Sequence, residues 1–187
     1  TYGYEPIRFF MLSAHYRSPL NYSKESLIQA QAALQRLRTA MEHMEFLSKS
    51  GAEGAMTEAE RAFAGTFERY RARFDEAMDD DLNTADAIGV LFEMVRAVNT
   101  NLEGTPTRAF AAACRDMVSE LNGVLGLLGG ETRDDGLDAQ VEALITARGE
   151  AKKAKDWTEA DRIRDQLKDM GIELKDTPQG VQWKRTL

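Results

Sequence analysis

Residues 148–184 read RGEAKKAKDWTEADRIRDQLKDMGIELKDTPQGVQWK, and how this stretch folds decides how the rest of the chain is understood. Its first residues finish a helix over 137–154, where Leu137, Val141, Leu144 and Ala151 recur at helical spacing. Lys152, Lys153 and Lys155 make that helix end basic, and Trp157 follows at the junction. Thr158 and Asp161 read as a capping box for a second, short helix, which Gly171 should stop. Beyond it, Ile172-Glu173-Leu174 and Val181-Gln182-Trp183 alternate as strands, joined by the turn residues Asp176-Thr177-Pro178-Gln179-Gly180. The expectation for 137–187 is a small α+β module of two helices and a β-hairpin.

Upstream, Gly129-Gly130 and the polar run ETRDDG read as a linker over 129–136. Everything before it is helical in pattern. Residues 5–16 carry Ile7, Phe10, Met11 and Ala14 at helical spacing, with Pro6 suited to a first turn. Ser23 caps a long helix running to about Leu47, striped by Leu27, Ala30, Leu34, Leu37, Met41 and Met44. After the loop KSGAEGAMT, T-E-A-E at 57–60 is a capping box for a helix with Phe63, Phe67, Tyr70, Phe74 and Ala77 on one face. Asn83 or Thr84 caps the next, cored by Ile88, Leu91, Val95, Val98 and Leu102. Thr105-Pro106 opens a further helix lined by Phe110, Ala113, Met117, Leu121, Val124 and Leu128. Long amphipathic helices with short connections predict a mainly α chain, an antiparallel helical bundle followed by the α+β module.

Composition narrows the function. The 187 residues hold 24 Lys and Arg against 31 Asp and Glu, a net charge of −7, which disfavours a protein held to nucleic acid by bulk charge alone. The excess is confined to residues 1–136. From 137 onward ten basic residues balance ten acidic ones, and the cations stand in patches. No apolar run is long enough to span a bilayer, no signal peptide opens the chain, and a single cysteine, Cys114, forbids an internal disulfide. A cytoplasmic location is expected. Because the chain opens on Thr1, it is expected to be a piece of something longer.

No G-x-G-x-x-G, P-loop or H-E-x-x-H occurs, and neither histidine, His15 or His43, stands near a nucleophile in sequence. His15 and Cys114 read as packing residues, and Asp79-Asp80-Asp81 as acidic groups at a helix N-terminus rather than metal ligands. The terminal stretch differs. An exposed aromatic beside Lys152, Lys153 and Lys155 offers an unstacked RNA base a stacking plane and its phosphates a counter-charge. Asp161 and Asp176 can accept from exocyclic amines of bases. The rival reading is that Trp157 and Trp183 fill the core of a small module and Asp161 serves only as a cap.

Four stretches, RFFMLSAHYRSPLNYS (8–23), FDEAMDDDLNTADAIGVLFEM (74–94), ARGEAKKAKDWTEADRIRDQLKDMGI (147–172) and LKDTPQGVQWKR (174–185), resemble the C-terminal half of cysteinyl-tRNA synthetase. The resemblance implies a connector from a catalytic domain over 1–22, an anticodon-binding bundle of the class Ia synthetase type over 23–128, and an anticodon-recognition module over 137–187. It implies that Trp157 stacks on an anticodon base and that Asp161 and Asp176 contact base edges; Lys152, Lys153, Lys155, Arg162, Gln179 and Trp183 are also expected at the RNA. Where the family often has an arginine, this chain has Lys152, which offers a point charge in place of a bidentate fork. The expected partner is tRNA(Cys), bound by a monomer. ATP and one zinc are expected in the catalytic domain of the full-length ligase, with no catalytic or metal-binding residue in this chain. Retention of the terminal module argues against the related cysteine-adenylate ligase of thiol biosynthesis. A helical scaffold for protein partners, without RNA binding, is the alternative.

Overall fold

The computed structural model describes residues 3–128, 137–177 and 180–185. The elements run α1 (Tyr4–Leu12), α2 (Lys24–Ser50), α3 (Glu58–Ala64), α4 (Phe67–Asp79), α5 (Thr84–Asn101), α6 (Arg108–Leu125), α7 (Leu137–Lys153), α8 (Trp157–Asp169), β1 (Ile172–Thr177) and β2 (Gly180–Arg185). They divide into two compact units, Thr1–Gly130 and Glu131–Leu187. The linker expected at 129–136 lies outside the described residues.

In the first unit α2 packs on α1, α5 and α6, and α4 packs on α5. The apolar stripes supply the reason: Leu37, Met44, Leu91, Met94, Val98 and Phe110 are fully buried. Each such side chain withdrawn from water contributes roughly 1.5–3 kcal/mol. Phe9 and Phe10 of α1 join this core, whereas Ile7 and Met11, expected on its inner face, are exposed. Val124, expected to line the core, is also exposed, while Cys114, Val118 and Leu125 are buried in α6. Burial pushes the Cys114 thiol up to about 12, so it behaves as a small core residue.

Caps set most boundaries. Ser23, Thr57 and Asn83 accept hydrogen bonds from the backbone N–H of Ser26, Glu60 and Asp86, as their sequence contexts predict. Three boundaries differ. α1 stops at Leu12, where the Ser13 hydroxyl donates to Phe10 O and the Thr84 hydroxyl donates to Leu12 O. The single helix expected over 57–77 is two, because the Thr66 hydroxyl takes the Phe63 carbonyl at 2.7 Å beside Gly65, a poor helix former. α6 is capped by Thr107, not Thr105-Pro106; Thr107 is buried, accepts from Phe110 N, and is itself held by the Glu60 carboxylate. Asp81, which precedes the N-cap of α5 as expected, also makes tertiary contacts. At φ 55 it accepts from the Tyr16 hydroxyl at 2.8 Å and pairs with Arg17 at 2.9 Å, while His15 stacks on Tyr16.

The second unit has its own core of Val141, Ile163, Leu167 and Ile172, with Leu144, Ile145, Met170, Leu174 and Trp183 packed around it. β1 and β2 pair antiparallel, Leu174 opposite Trp183 and Thr177 opposite Gly180. The strands therefore extend into the expected five-residue turn, whose Pro178 and Gln179 lie outside the described residues. Gly171, at φ 74, lets the chain leave α8 and enter β1 directly.

Candidate nucleic-acid interface

Four of the sequence-predicted residues, Lys152, Lys153, Lys155 and Trp157, lie at the turn between α7 and α8. Lys155 N–H donates to Lys152 O at 3.1 Å and Asp156 N–H to Ala151 O at 2.9 Å, the paired bonds of a Schellman ending, with Lys155 in the left-handed position at φ 60. Asp156 then changes roles within one residue. Its carboxylate accepts from Glu159 N at 3.1 Å and caps α8. The capping box expected from Thr158 and Asp161 is thus corrected: the helix already begins at Trp157, which leaves Asp161 one turn inside it. One residue, Asp156, thus closes the ending of α7 and caps α8, and Lys152, Lys153, Lys155 and Trp157 flank it on this single turn.

Exposure separates the two tryptophans. Trp157 is 62% exposed at the first position of α8, whereas Trp183 is half-buried against the core of its module. Lys153 and Lys155 are exposed and Lys152 is half-buried. Asp161 is exposed one turn from Trp157 and pairs with Arg164 at 3.3 Å. Arg162 donates twice to Glu159, at 2.7 and 2.6 Å, and its guanidinium holds that carboxyl below the usual range. Asp176 pairs with Val181 in the hairpin ladder, and its side chain, like Gln179, lies outside what the structure describes. Arg164 was absent from the sequence-based candidates. Its spacing of seven from Trp157, two helical turns, was the available signal.

Among the described residues no group of three or more His, Cys, Asp or Glu could hold a metal ion, and no helix is long and apolar enough to cross a membrane. An open plane beside a basic helix end can stack on a base and neutralise its phosphates.

Comparison with known proteins identifies the domains from which the chain is built. Residues 73–129 match the model of the DALR domain, and residues 134–183 match that of the cysteinyl-tRNA ligase anticodon binding domain. The chain is thus built from domains of an aminoacyl-tRNA ligase. It is 47% identical over 184 residues to the cysteine–tRNA ligase of Clostridioides difficile (strain 630) and 45% identical over 184 residues to that of Symbiobacterium thermophilum. Those alignments take in 98% of this chain, which spans 39% of the length of each relative. The chain belongs to the cysteine–tRNA ligase family and corresponds to its C-terminal part.

Proposed function

We propose that this chain binds the anticodon stem-loop of tRNA(Cys), with the module over 137–187 as the reader and Trp157 as its stacking platform. The observation that carries the reading is the exposure of Trp157 at a turn that also presents Lys153 and Lys155. A tryptophan needed only for packing would be buried, as Trp183 partly is. Asp161 accepts from a base amine, and Asp176 does so from the hairpin. Lys152, with a point charge where the family has a guanidinium, meets a phosphate or a single acceptor.

In this reading the chain delivers tRNA to a ligase that joins cysteine to it with ATP in the cytoplasm, and it does so as a monomer. The family implies ATP and zinc for the catalytic domain, and among the described residues of this chain no cluster suits the zinc. Cys114 is buried in the bundle core, and no described acidic or histidine group is arranged to hold a metal. The scaffold alternative has less support, since the terminal residues match a domain described as anticodon-binding.

The test is titration of the chain with a tRNA(Cys) anticodon stem-loop and with a version altered at one anticodon base, each at two salt concentrations. The expected result is tighter binding to the unaltered loop, weakening with salt. Equal binding to both loops would remove the anticodon reading.

A further inference from the structure

Along α8, Trp157, Asp161, Arg164 and Lys168 recur at intervals of four, three and four residues. At about 100° per residue they fall within an arc of about 60°, one continuous stripe. Ala160, Ile163 and Leu167 occupy the buried side. Arg162 faces a third side, where it is hydrogen-bonded to Glu159 and reaches Gln166 at 3.5 Å. The arginine picked out by sequence therefore points away from Trp157 and Asp161, and a different one shares their face.

The two arginines are also held differently. Arg162 makes two short bonds to one carboxylate. Arg164 meets Asp161 through a single 3.3 Å contact and Asp165 at 3.9 Å, with the Arg164 and Asp161 side chains 56% and 64% exposed. A loose, solvated pair of this kind contributes little to stability, so exchanging its partner costs little.

We propose that an RNA strand runs along this stripe, one base stacked on Trp157 and its backbone phosphates met by Arg164 and Lys168. Arg164, not Arg162, is the guanidinium that meets RNA. The proposal rests on the RNA-binding reading above and deepens it. When RNA arrives, Arg164 exchanges the Asp161 carboxylate for a phosphate, a stronger charge-assisted acceptor. That exchange frees Asp161 to accept from a base amine. Successive cations on one helix face supply the charged track that single-stranded nucleic acid follows beyond a stacking aromatic.

The experiment measures affinity of the 187-residue chain for the tRNA(Cys) anticodon stem-loop over a salt series, for Trp157→Ala, Arg162→Ala, Arg164→Ala and Lys168→Ala. Circular dichroism confirms that each variant folds. Arg164→Ala is expected to weaken binding about three- to tenfold and to lower the slope of log K against log salt by about 0.7, one single-strand phosphate contact. Arg162→Ala stays within about twofold and keeps the slope, as expected for a cation already held by its own carboxylate. An Arg162→Ala loss equal to or larger than that of Arg164→Ala overturns the proposal. If Trp157→Ala weakens binding while Arg164→Ala and Lys168→Ala do not, the track is wrong and the stacking platform stands. If Trp157→Ala also leaves binding unchanged, the RNA-binding reading falls with it.

Discussion

Lys155 is a residue in the wrong conformation for its chemistry. At φ 60 it occupies the left-handed position that ends α7, where glycine is the usual choice because any Cβ crowds the neighbouring carbonyl. Lys155→Gly should therefore stabilise the terminal module, by about 0.5–1 kcal/mol after the extra freedom of glycine in the unfolded chain is set against the relieved strain. The same change should weaken RNA binding if the ammonium meets a phosphate. Thermal melts and stem-loop titration of the one variant check both effects, and a rise in stability with no loss of affinity would confine Lys155 to its turn. Glu60 is the corresponding residue in the bundle. Burial pushes its carboxyl up, but hydrogen bonds from the Thr107 and Thr57 backbone N–H groups, and from the Thr107 hydroxyl, outweigh this and leave the pKa lowered. A lowered folded pKa stabilises above the ordinary carboxylate value of about 4.3, and the gain disappears as pH falls through the folded value. Glu60→Gln should cost about 1–3 kcal/mol at pH 7, with a gap from the parent that narrows on acidification toward pH 3. Urea melts at the two pH values measure that gap.

At the scale of elements, the caps decide what could be read ahead of the structure. Ser23, Thr57 and Asn83 were legible because donor and acceptor lie three residues apart in sequence. Thr107 was not, because it is fixed by Glu60, 47 residues away. Asp156 was hidden differently: it closes the Schellman bonds of α7 and caps α8 at once, and no local pattern shows a residue shared by two helices. The site had the same limit. Sequence selected Trp157 and Trp183 alike, and only the hairpin register, which sets Trp183 opposite Leu174, draws the second into the core. It also selected Arg162, which lies on a different side of α8 from Trp157, and passed over Arg164, which shares the Trp157 face. The corrected cap makes a prediction that separates two neighbouring aspartates. Asp156→Ala removes the cap and should cost about 1 kcal/mol. Asp161→Ala removes only an exposed pair and should shift stability by no more than about 0.5 kcal/mol. Melting temperatures of the two variants, followed through tryptophan fluorescence, give the comparison; equal losses would return the cap to Asp161.

At the scale of the whole molecule, two units with separate cores should unfold separately, and the sequence contains a reporter for each. Both tryptophans of the chain, Trp157 and Trp183, lie in Glu131–Leu187, and its single cysteine, Cys114, lies in Thr1–Gly130. Cys114 is fully buried and its thiol is pushed up to about 12, so a thiol reagent at pH 8 reacts with it only after the bundle opens. Leu167 is fully buried in the small core with Val141, Ile163 and Ile172. Leu167→Ala removes a core side chain at a cost of about 2–5 kcal/mol, comparable with the whole stability of a unit this small. The variant should therefore lose its native tryptophan fluorescence at much lower urea, while Cys114 stays as slow to react as in the parent chain. Simultaneous loss of both signals would mean that the bundle depends on the terminal module and the two cores unfold as one. Retention of Cys114 protection alone would show that the terminal unit melts while the bundle stays folded, which is the behaviour the RNA-binding proposal requires if RNA is to order α8 at low cost to the rest of the chain.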